Sequence, residues 1–248
     1  NSQGRLQLKM GETELALETW ETAEKLYQKG DDEVGAIGAQ INQAEALQVL
    51  GFYHRARNLF ERIENNLYEQ SDSSMKVLGL RNLGNLLRQA GNLEKSENVL
   101  NKALEINPLN ENIWNKRGYA FFNLERYEEA VDSFDKALEN NPLYEISWYN
   151  KGLNLIYLKR YEEAIYSFDK ALEINPSNEK TWHNRGAALL ESESYEEAIA
   201  SFDKALDINP SNSEVWGNKG SALFSLERYE DAIYSYKKAL DDRIWHDR

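Results

Sequence analysis

An all-α solenoid of helix–turn–helix units is the fold class this sequence predicts. Three observations predict it. Four tryptophans, Trp114, Trp148, Trp182 and Trp216, recur at a spacing of 34 residues. Small and aromatic residues return at fixed offsets after each of them. An Asn-Pro pair closes unit after unit, at Pro108, Pro142, Pro176 and Pro210. Self-similarity at a fixed period of a few tens of residues marks a chain built from stacked copies of one supersecondary unit.

The offsets are regular in the C-terminal part. Gly118, Ala130, Phe134, Ala137 and Pro142 follow Trp114; Gly152, Ala164, Phe168, Ala171 and Pro176 follow Trp148. Gly186, Ala198, Phe202, Ala205 and Pro210 follow Trp182, and Gly220, Ala232, Tyr236 and Ala239 follow Trp216 without a final Pro. Earlier units keep the pattern with losses. Leu80 stands for the Trp before Gly84, Leu100, Ala103 and Pro108, and Ser96 stands for the Ala. Gln40, Ala44, Ala56 and Phe60 mark the unit before, and Gly4, Ala16, Trp20 and Ala23 the first. These early units repeat at 40 residues. The six extra residues are expected to lengthen the second helix or the loop after it. Seven units are visible, the first cut inside its first helix. The expected division is residues 1–76 for the units of about 40 residues and 77–248 for five units of 34, continuous as one solenoid.

Each unit carries two apolar stripes of helical period. In one second helix, Tyr161, Ala164, Ile165, Phe168, Ala171 and Leu172 share a face. Gly and Ala mark places where two antiparallel helices come too close for larger side chains, and Trp and Phe fill the spaces between. The residue before Pro is pushed out of helical geometry, so Asn-Pro ends the second helix. Ser177-Asn178-Glu179 and Ser211-Asn212-Ser213-Glu214 supply caps and an acidic first turn to the next helix. Helix pairs are expected near 31–50 and 52–69, 74–90 and 93–106, 111–124 and 127–140. Further pairs fall near 145–158 and 161–174, 179–192 and 195–208, 213–226 and 229–242. A helix near 12–29, with part of another before it, completes the N-terminal end.

Composition narrows the function. Acidic residues outnumber basic ones 42 to 29, a net charge of −13. Such a surface repels nucleic acid unless one face is strongly basic, and no Lys/Arg run is long enough to make that face. It disfavours anionic membranes, and no apolar run approaches the roughly 18 residues of a bilayer span. There are no cysteines, which removes disulfides, thiolate metal sites and cysteine nucleophiles. The first residues hold no signal-peptide core and no initiating Met. The chain is therefore read as a fragment, with a cytoplasmic location as the expectation.

Catalysis needs convergent groups. The three histidines, His54, His183 and His246, fall in different units, and no Gly-rich phosphate loop is present. The recurring Glu128-Glu129, Glu162-Glu163 and Glu196-Glu197 resemble carboxylate dyads, but adjacent helical residues diverge by about 100°. They open second helices, where a negative charge favours the helix dipole. Asp135-Lys136, Asp169-Lys170 and Asp203-Lys204 read as surface charge. No catalytic residue, metal site or cofactor is expected.

With these offsets the chain resembles the tetratricopeptide repeat (TPR) family over essentially its whole length, most specifically from Leu80 onward. The resemblance implies a right-handed superhelix whose first helices line a concave groove that holds peptides. Two residues after each Trp-equivalent stand Asn42, Asn82, Lys116, Asn150, Asn184 and Asn218. A carboxamide offers one acceptor and two donors and so matches a peptide unit. Such a ladder would read main chain, with Lys116 as its interruption; the alternative is that these Asn serve helix–helix hydrogen bonds inside the array. Arg81, Asn85, Arg88, Asn115 and Lys116 give a basic patch, followed by the aromatic stretch of Tyr119, Phe122, Tyr149, Ile156 and Tyr157. Groove contact is one reading of these two sets; packing between units, and pairing of the Arg with nearby Glu, is the other. The patch does not match the two-carboxylate clamp of chaperone-binding TPR domains.

The segment Glu18–Arg57 resembles TPR regions of bacterial proteins that also carry a caspase-like CHAT protease domain, which would imply a regulatory array severed from an effector. The leading expectation is a non-enzymatic protein–protein interaction scaffold, with a regulatory array of a larger multidomain enzyme and a self-assembly module as alternatives. The last helix stays patterned for packing at Tyr229, Ala232, Ile233, Tyr236, Ala239 and Leu240, and Ile244 and Trp245 follow. The C-terminal end is therefore a candidate surface for self-association.

Overall fold

The computed structural model describes residues 1–69 and 71–246, the last six of these by backbone alone. Helices make up 82% of the described residues, and there are no strands among them. In chain order they are α1 (Ser2–Lys9), α2 (Thr13–Lys29), α3 (Glu33–Val49), α4 (Tyr53–Glu69), α5 (Ser74–Gln89), α6 (Leu93–Ile106) and α7 (Glu111–Asn123). There follow α8 (Tyr127–Asn140), α9 (Glu145–Tyr157), α10 (Tyr161–Ile174), α11 (Glu179–Glu191), α12 (Tyr195–Ile208), α13 (Ser213–Ser225) and α14 (Tyr229–His246). The chain divides into two compact units, Asn1–Arg126 and Tyr127–Arg248.

The extra length of the early repeats does not sit in a loop. Both α3 and α4 have 17 residues, where α9 has 13 and α10 has 14. The first helix takes more of the excess than the second, which differs from the expectation that the second helix or its loop would absorb it. Added helical turns keep backbone hydrogen bonds satisfied, whereas added loop leaves them to water.

In the N-terminal unit α5 and α6 pack as the expected pair, whereas α3 packs more extensively on α2, the second helix of the preceding repeat, than on its expected partner α4, and α3 touches α5 as α5 touches α7. In the C-terminal unit α9–α10, α11–α12 and α13–α14 pair, with α9 against α11 and α11 against α13. First helices thus stack on first helices within each unit.

The offset of 16 residues between the small and the aromatic position is the packing rule. A Cβ on Gly152 would meet Phe168 Cε1 at 2.6 Å, and one on Gly186 would meet Phe202 Cε1 at 2.5 Å. Phe134, Phe168 and Phe202 are completely buried. The four repeating tryptophans behave differently from the expectation that they fill the core, because each is only half-buried, whereas Trp20 is completely buried. The indole N–H is the reason. Trp114, Trp148, Trp182 and Trp216 donate to the carbonyls of Pro108, Pro142, Pro176 and Pro210 at 2.7–2.9 Å. Each Trp fastens the Pro loop before its own helix, so ring and proline recur together.

The Asp of each Asp-Lys pair is likewise more than surface charge. Asp135 meets Lys151 at 2.6 Å, Asp169 meets Arg185 at 2.6 Å and Asp203 meets Lys219 at 2.5 Å. Each bridge joins a second helix to the next first helix. Part-exposed pairs of this kind contribute roughly 0–1 kcal/mol each.

Asn110, Asn178 and Asn212 cap α7, α11 and α13 by accepting from backbone N–H groups of the first turn. The turns inside pairs differ between the two ends of the chain. Gly11, Gly51 and Gly91 take the left-handed position early, whereas Glu125, Lys159, Glu193 and Glu227 take it later with φ of 57–62°.

The position before each Trp carries a testable mismatch. It is Ile113 and Val215 in two repeats, both fully buried, and Thr181 in another, whose Oγ1 is buried without a partner. Thr181→Val keeps the shape and removes the orphaned hydroxyl. It is expected to raise unfolding stability by about 1 kcal/mol in urea titration. A loss of stability would show that the hydroxyl has a use this packing does not explain.

Candidate functional site

The first helices carry the candidate residues, and the structure sorts them into three groups. Asn42, Asn115 and Asn150 are buried, at 6%, 3% and 2% exposure. Asn42 on α3 meets the Asn1 side chain at 3.5 Å. The Asn150 backbone carbonyl on α9, not its side chain, accepts from Asn154 Nδ2 at 2.8 Å.

Asn184 and Asn218 form the second group. Asn184 Nδ2 on α11 donates to the Tyr149 hydroxyl on α9 at 3.0 Å. Asn218 Nδ2 on α13 donates to His183 Nε2 on α11 at 2.9 Å. The two bonds share an offset of 35 residues, so one device couples successive first helices. Tyr149 also packs on Phe168 with ring centroids 6.1 Å apart. In the C-terminal unit the ladder is engaged inside the array, and its amides present at most their remaining valences outward. Tyr157 stacks on Tyr127 at 4.8 Å, and Ile156 packs against the Leu155 cluster.

The third group lies on α5 and α7 of the N-terminal unit. Arg81, Asn82, Asn85, Arg88, Lys116, Tyr119 and Phe122 are all half-buried. Arg81 donates to Asn82 Oδ1 at 3.2 Å, and Arg88 donates to Asn85 Oδ1 at 3.3 Å. The Arg88 guanidinium lies 5.4 Å over the Tyr119 ring, a cation–π contact. Its Nε is buried without a hydrogen-bond partner. Burial holds the Lys116 ammonium below the ordinary lysine range, and the charges of Arg88 and Arg81 push it further down. Burial also lowers the Arg88 guanidinium, against an opposing effect of Tyr119. Among the described residues, none of these three cations has a carboxylate within ion-pair distance. A lysine ammonium destabilised by two neighbouring guanidinium groups, on a chain of net charge −13, is an electrostatic mismatch that an anion would relieve.

The N-terminal unit holds a second polar cluster that the sequence reading passed over. Glu24 on α2 is 9% exposed. Its carboxylate accepts from Gln40 at 2.7 Å, Gln43 at 2.7 Å, Arg62 at 2.9 Å and Gln28 at 3.0 Å. Three helices meet at this one group. The available signal was polar residues on apolar stripes: Glu24 follows Ala16, Leu17 and Trp20, and Gln40 and Gln43 sit among Ala36, Ala39 and Ala44.

No group of three or more His, Asp or Glu among the described residues could hold a metal ion. No helix among them is long and apolar enough to cross a membrane. The side chains of Ile244 and Trp245 lie outside the described residues.

The tetratricopeptide repeat family matches residues 146–178 in one form, and residues 81–145 and 183–245 in another. No curated protein matches the chain. Several solved structures share the fold. MamA from Desulfovibrio magneticus RS-1 aligns with a TM-score of 0.67 at 22% identity, over 72% of this chain and 100% of that one. Another crystal structure of MamA gives 0.64 at 19%, over 66% and 95%. YrrB, described as a TPR protein with an unusual peptide-binding site, gives 0.64 at 24%, over 74% and 93%.

Proposed function

The chain belongs to the tetratricopeptide repeat family, and on that premise we propose that it is a non-enzymatic scaffold that holds an acidic protein segment on α5 and α7. The observation that carries this reading is the uncompensated trio of Arg81, Arg88 and Lys116. An extended acidic segment would place carboxylates against the trio, with Asn82 and Asn85 as hydrogen-bonding neighbours and Tyr119 beneath Arg88. The overall negative charge opposes such a partner at long range, but salt screens that repulsion beyond about 8 Å under physiological conditions. Contact charges therefore decide the outcome. The peptide site named for YrrB supports the class of partner, not its identity.

The test is fluorescence anisotropy with a labelled ten-residue Asp/Glu peptide and its Asn/Gln counterpart. The acidic peptide is expected to bind and the neutral one not. Lys116→Ala, Arg88→Ala and Arg81→Ala are each expected to weaken binding about fivefold, roughly 1 kcal/mol for a part-buried ion pair. Equal binding of the two peptides, or an unaffected triple variant, would remove the site from this face.

The pH dependence has a definite sign. Lys116 loses its proton at lower pH than an ordinary lysine, so affinity is expected to fall as pH rises through that lowered value. The unfolded chain holds the proton longer than the folded one does. Stability of the free chain therefore rises with pH between the lowered folded value and the ordinary lysine range. Lys116→Met abolishes both trends, which anisotropy and urea titration from neutral to alkaline pH would read.

A second reading, self-association through α14, rests on one comparison. Ile199 and Leu206 on α12 are 8% and 7% exposed, whereas the equivalent Ile233 and Leu240 on α14 are 54% and 58% exposed. Light scattering over a concentration series, against Ile233→Glu with Leu240→Glu, would separate a dimer that the pair abolishes from a monomer at every concentration.

A further inference from the structure

The cation trio of α5 and α7 is oriented by neutral groups rather than by carboxylates. Leu78, Arg81, Asn85 and Arg88 fall on one face of α5, at helical spacings of three and four. The Arg88 guanidinium lies 5.4 Å over the ring of Tyr119 on α7, one turn beyond Lys116. Arg88 thus reaches across the two helices and brings its charge beside the lysine. The charges that act on Lys116 are those of Arg88 and Arg81, with no carboxylate among them.

Each guanidinium is held by an amide. Arg81 Nη2 donates to Asn82 Oδ1 at 3.2 Å, and Arg88 Nη2 donates to Asn85 Oδ1 at 3.3 Å. An amide oxygen fixes a donor in place without cancelling its charge. The Nη1 group of each guanidinium and the Lys116 ammonium have no hydrogen-bond partner among the described residues. A single carboxylate answers this arrangement poorly. Its two oxygens lie in one plane and match one guanidinium fork, and its one charge leaves the other two cations uncompensated. A phosphoryl group carries about −1.5 to −2 at neutral pH and three acceptor oxygens, so it can serve both guanidinium groups and the ammonium together. Leu78, 38% exposed one turn before Arg81, adds apolar surface that a flanking peptide side chain can bury and free phosphate cannot.

We propose that this site takes a phosphorylated serine or threonine in an extended segment of a partner protein. Arg81, Arg88 and Lys116 donate to the phosphoryl oxygens, and Leu78 carries the residue beside it. Phosphorylation of the partner then switches binding on, while the net charge of −13 holds off segments of weaker local charge. The inference rests on the reading of α5 and α7 as the segment-binding face and narrows it to one class of ligand.

The test is fluorescence anisotropy of the full chain with one labelled ten-residue peptide in three forms, carrying phosphoserine, glutamate or serine at its centre. The phosphoserine form is expected to bind at least about tenfold tighter than the glutamate form, and the serine form not to bind. Asn85→Asp sets a carboxylate where the amide orients Arg88. It is expected to weaken the phosphopeptide at least about fivefold with unchanged circular dichroism. Lys116→Met removes the third donor and is expected to cut the preference for phosphoserine over glutamate about threefold. Inorganic phosphate is expected to displace the labelled phosphopeptide only at concentrations at least about tenfold above those at which the unlabelled phosphopeptide does. Displacement by both at the same concentration would mean a small-anion site and would overturn the proposal. Equal binding of the phosphoserine and glutamate forms would overturn it too. The acidic-segment reading survives that result if the Asp/Glu peptide still binds, and falls with it if that peptide does not.

Discussion

Phe168→Ala lowers stability by about 3–5 kcal/mol, the cost of emptying a fully buried aromatic site. Phe168 is completely buried, and its ring presses on the Gly152 backbone so closely that a Cβ there would lie 2.6 Å from Cε1. Tyr149 packs on the same ring. Loss of the ring therefore loosens the α9–α10 pair and also the Tyr149 hydroxyl that accepts from Asn184. Repeat arrays sum their units and interfaces, so the damage spreads to the α10–α11 contact. Urea titration by circular dichroism is the measurement. The complementary change, Gly152→Ala, overfills the same contact and is expected to cost about 1–3 kcal/mol. A loss below about 1 kcal/mol for Phe168→Ala would mean that the 16-residue pairing of glycine and aromatic ring does not hold the repeat together.

Glu24→Ala comes next, at about 2–4 kcal/mol. Its removal leaves the Gln40 donor buried without an acceptor, at a cost of about 1–3 kcal/mol, and leaves Gln43 with only the Trp20 carbonyl, to which its Nε2 donates at 3.1 Å. Arg62 adds little, because its side chain is 53% exposed and returns to water. Replacing the whole polar set is a different matter. Glu24→Leu with Gln40→Leu and Gln43→Leu removes acceptor and donors together, and is expected to recover most of the loss. If Glu24→Leu alone is as stable as the parent, the cluster is not a structural hub.

The two largest effects differ in how visible they were beforehand. Phe168 and Gly152 belong to an offset that occurs five times, and recurrence betrays a packing rule without any coordinates. Glu24 occurs in one early repeat where the pattern is diluted, so only its place on an apolar stripe hinted at burial. The asparagines fall between these cases. Their period was plain, but a carboxamide can serve a ligand or a neighbouring helix equally well. Tyr149 and His183, one residue after the Trp in their repeats, are what engage Asn184 and Asn218.

The sequence by itself determined the class of structure: where each helix starts and stops, which residues face inward, and the absence of a strand pattern. These follow from local chemistry, namely capping, proline and a 3.6-residue stripe, repeated until chance is excluded. Only the tertiary structure decided how the extra residues of the early repeats were shared between helices. It also decided that each Trp serves its proline loop more than the core, and that Asp135, Asp169 and Asp203 bridge to the next helix. The same holds for Arg81, Arg88 and Lys116, which stand together without a carboxylate. Each of these depends on distances between residues far apart along the chain, and periodicity carries direction around a helix but no distance between helices.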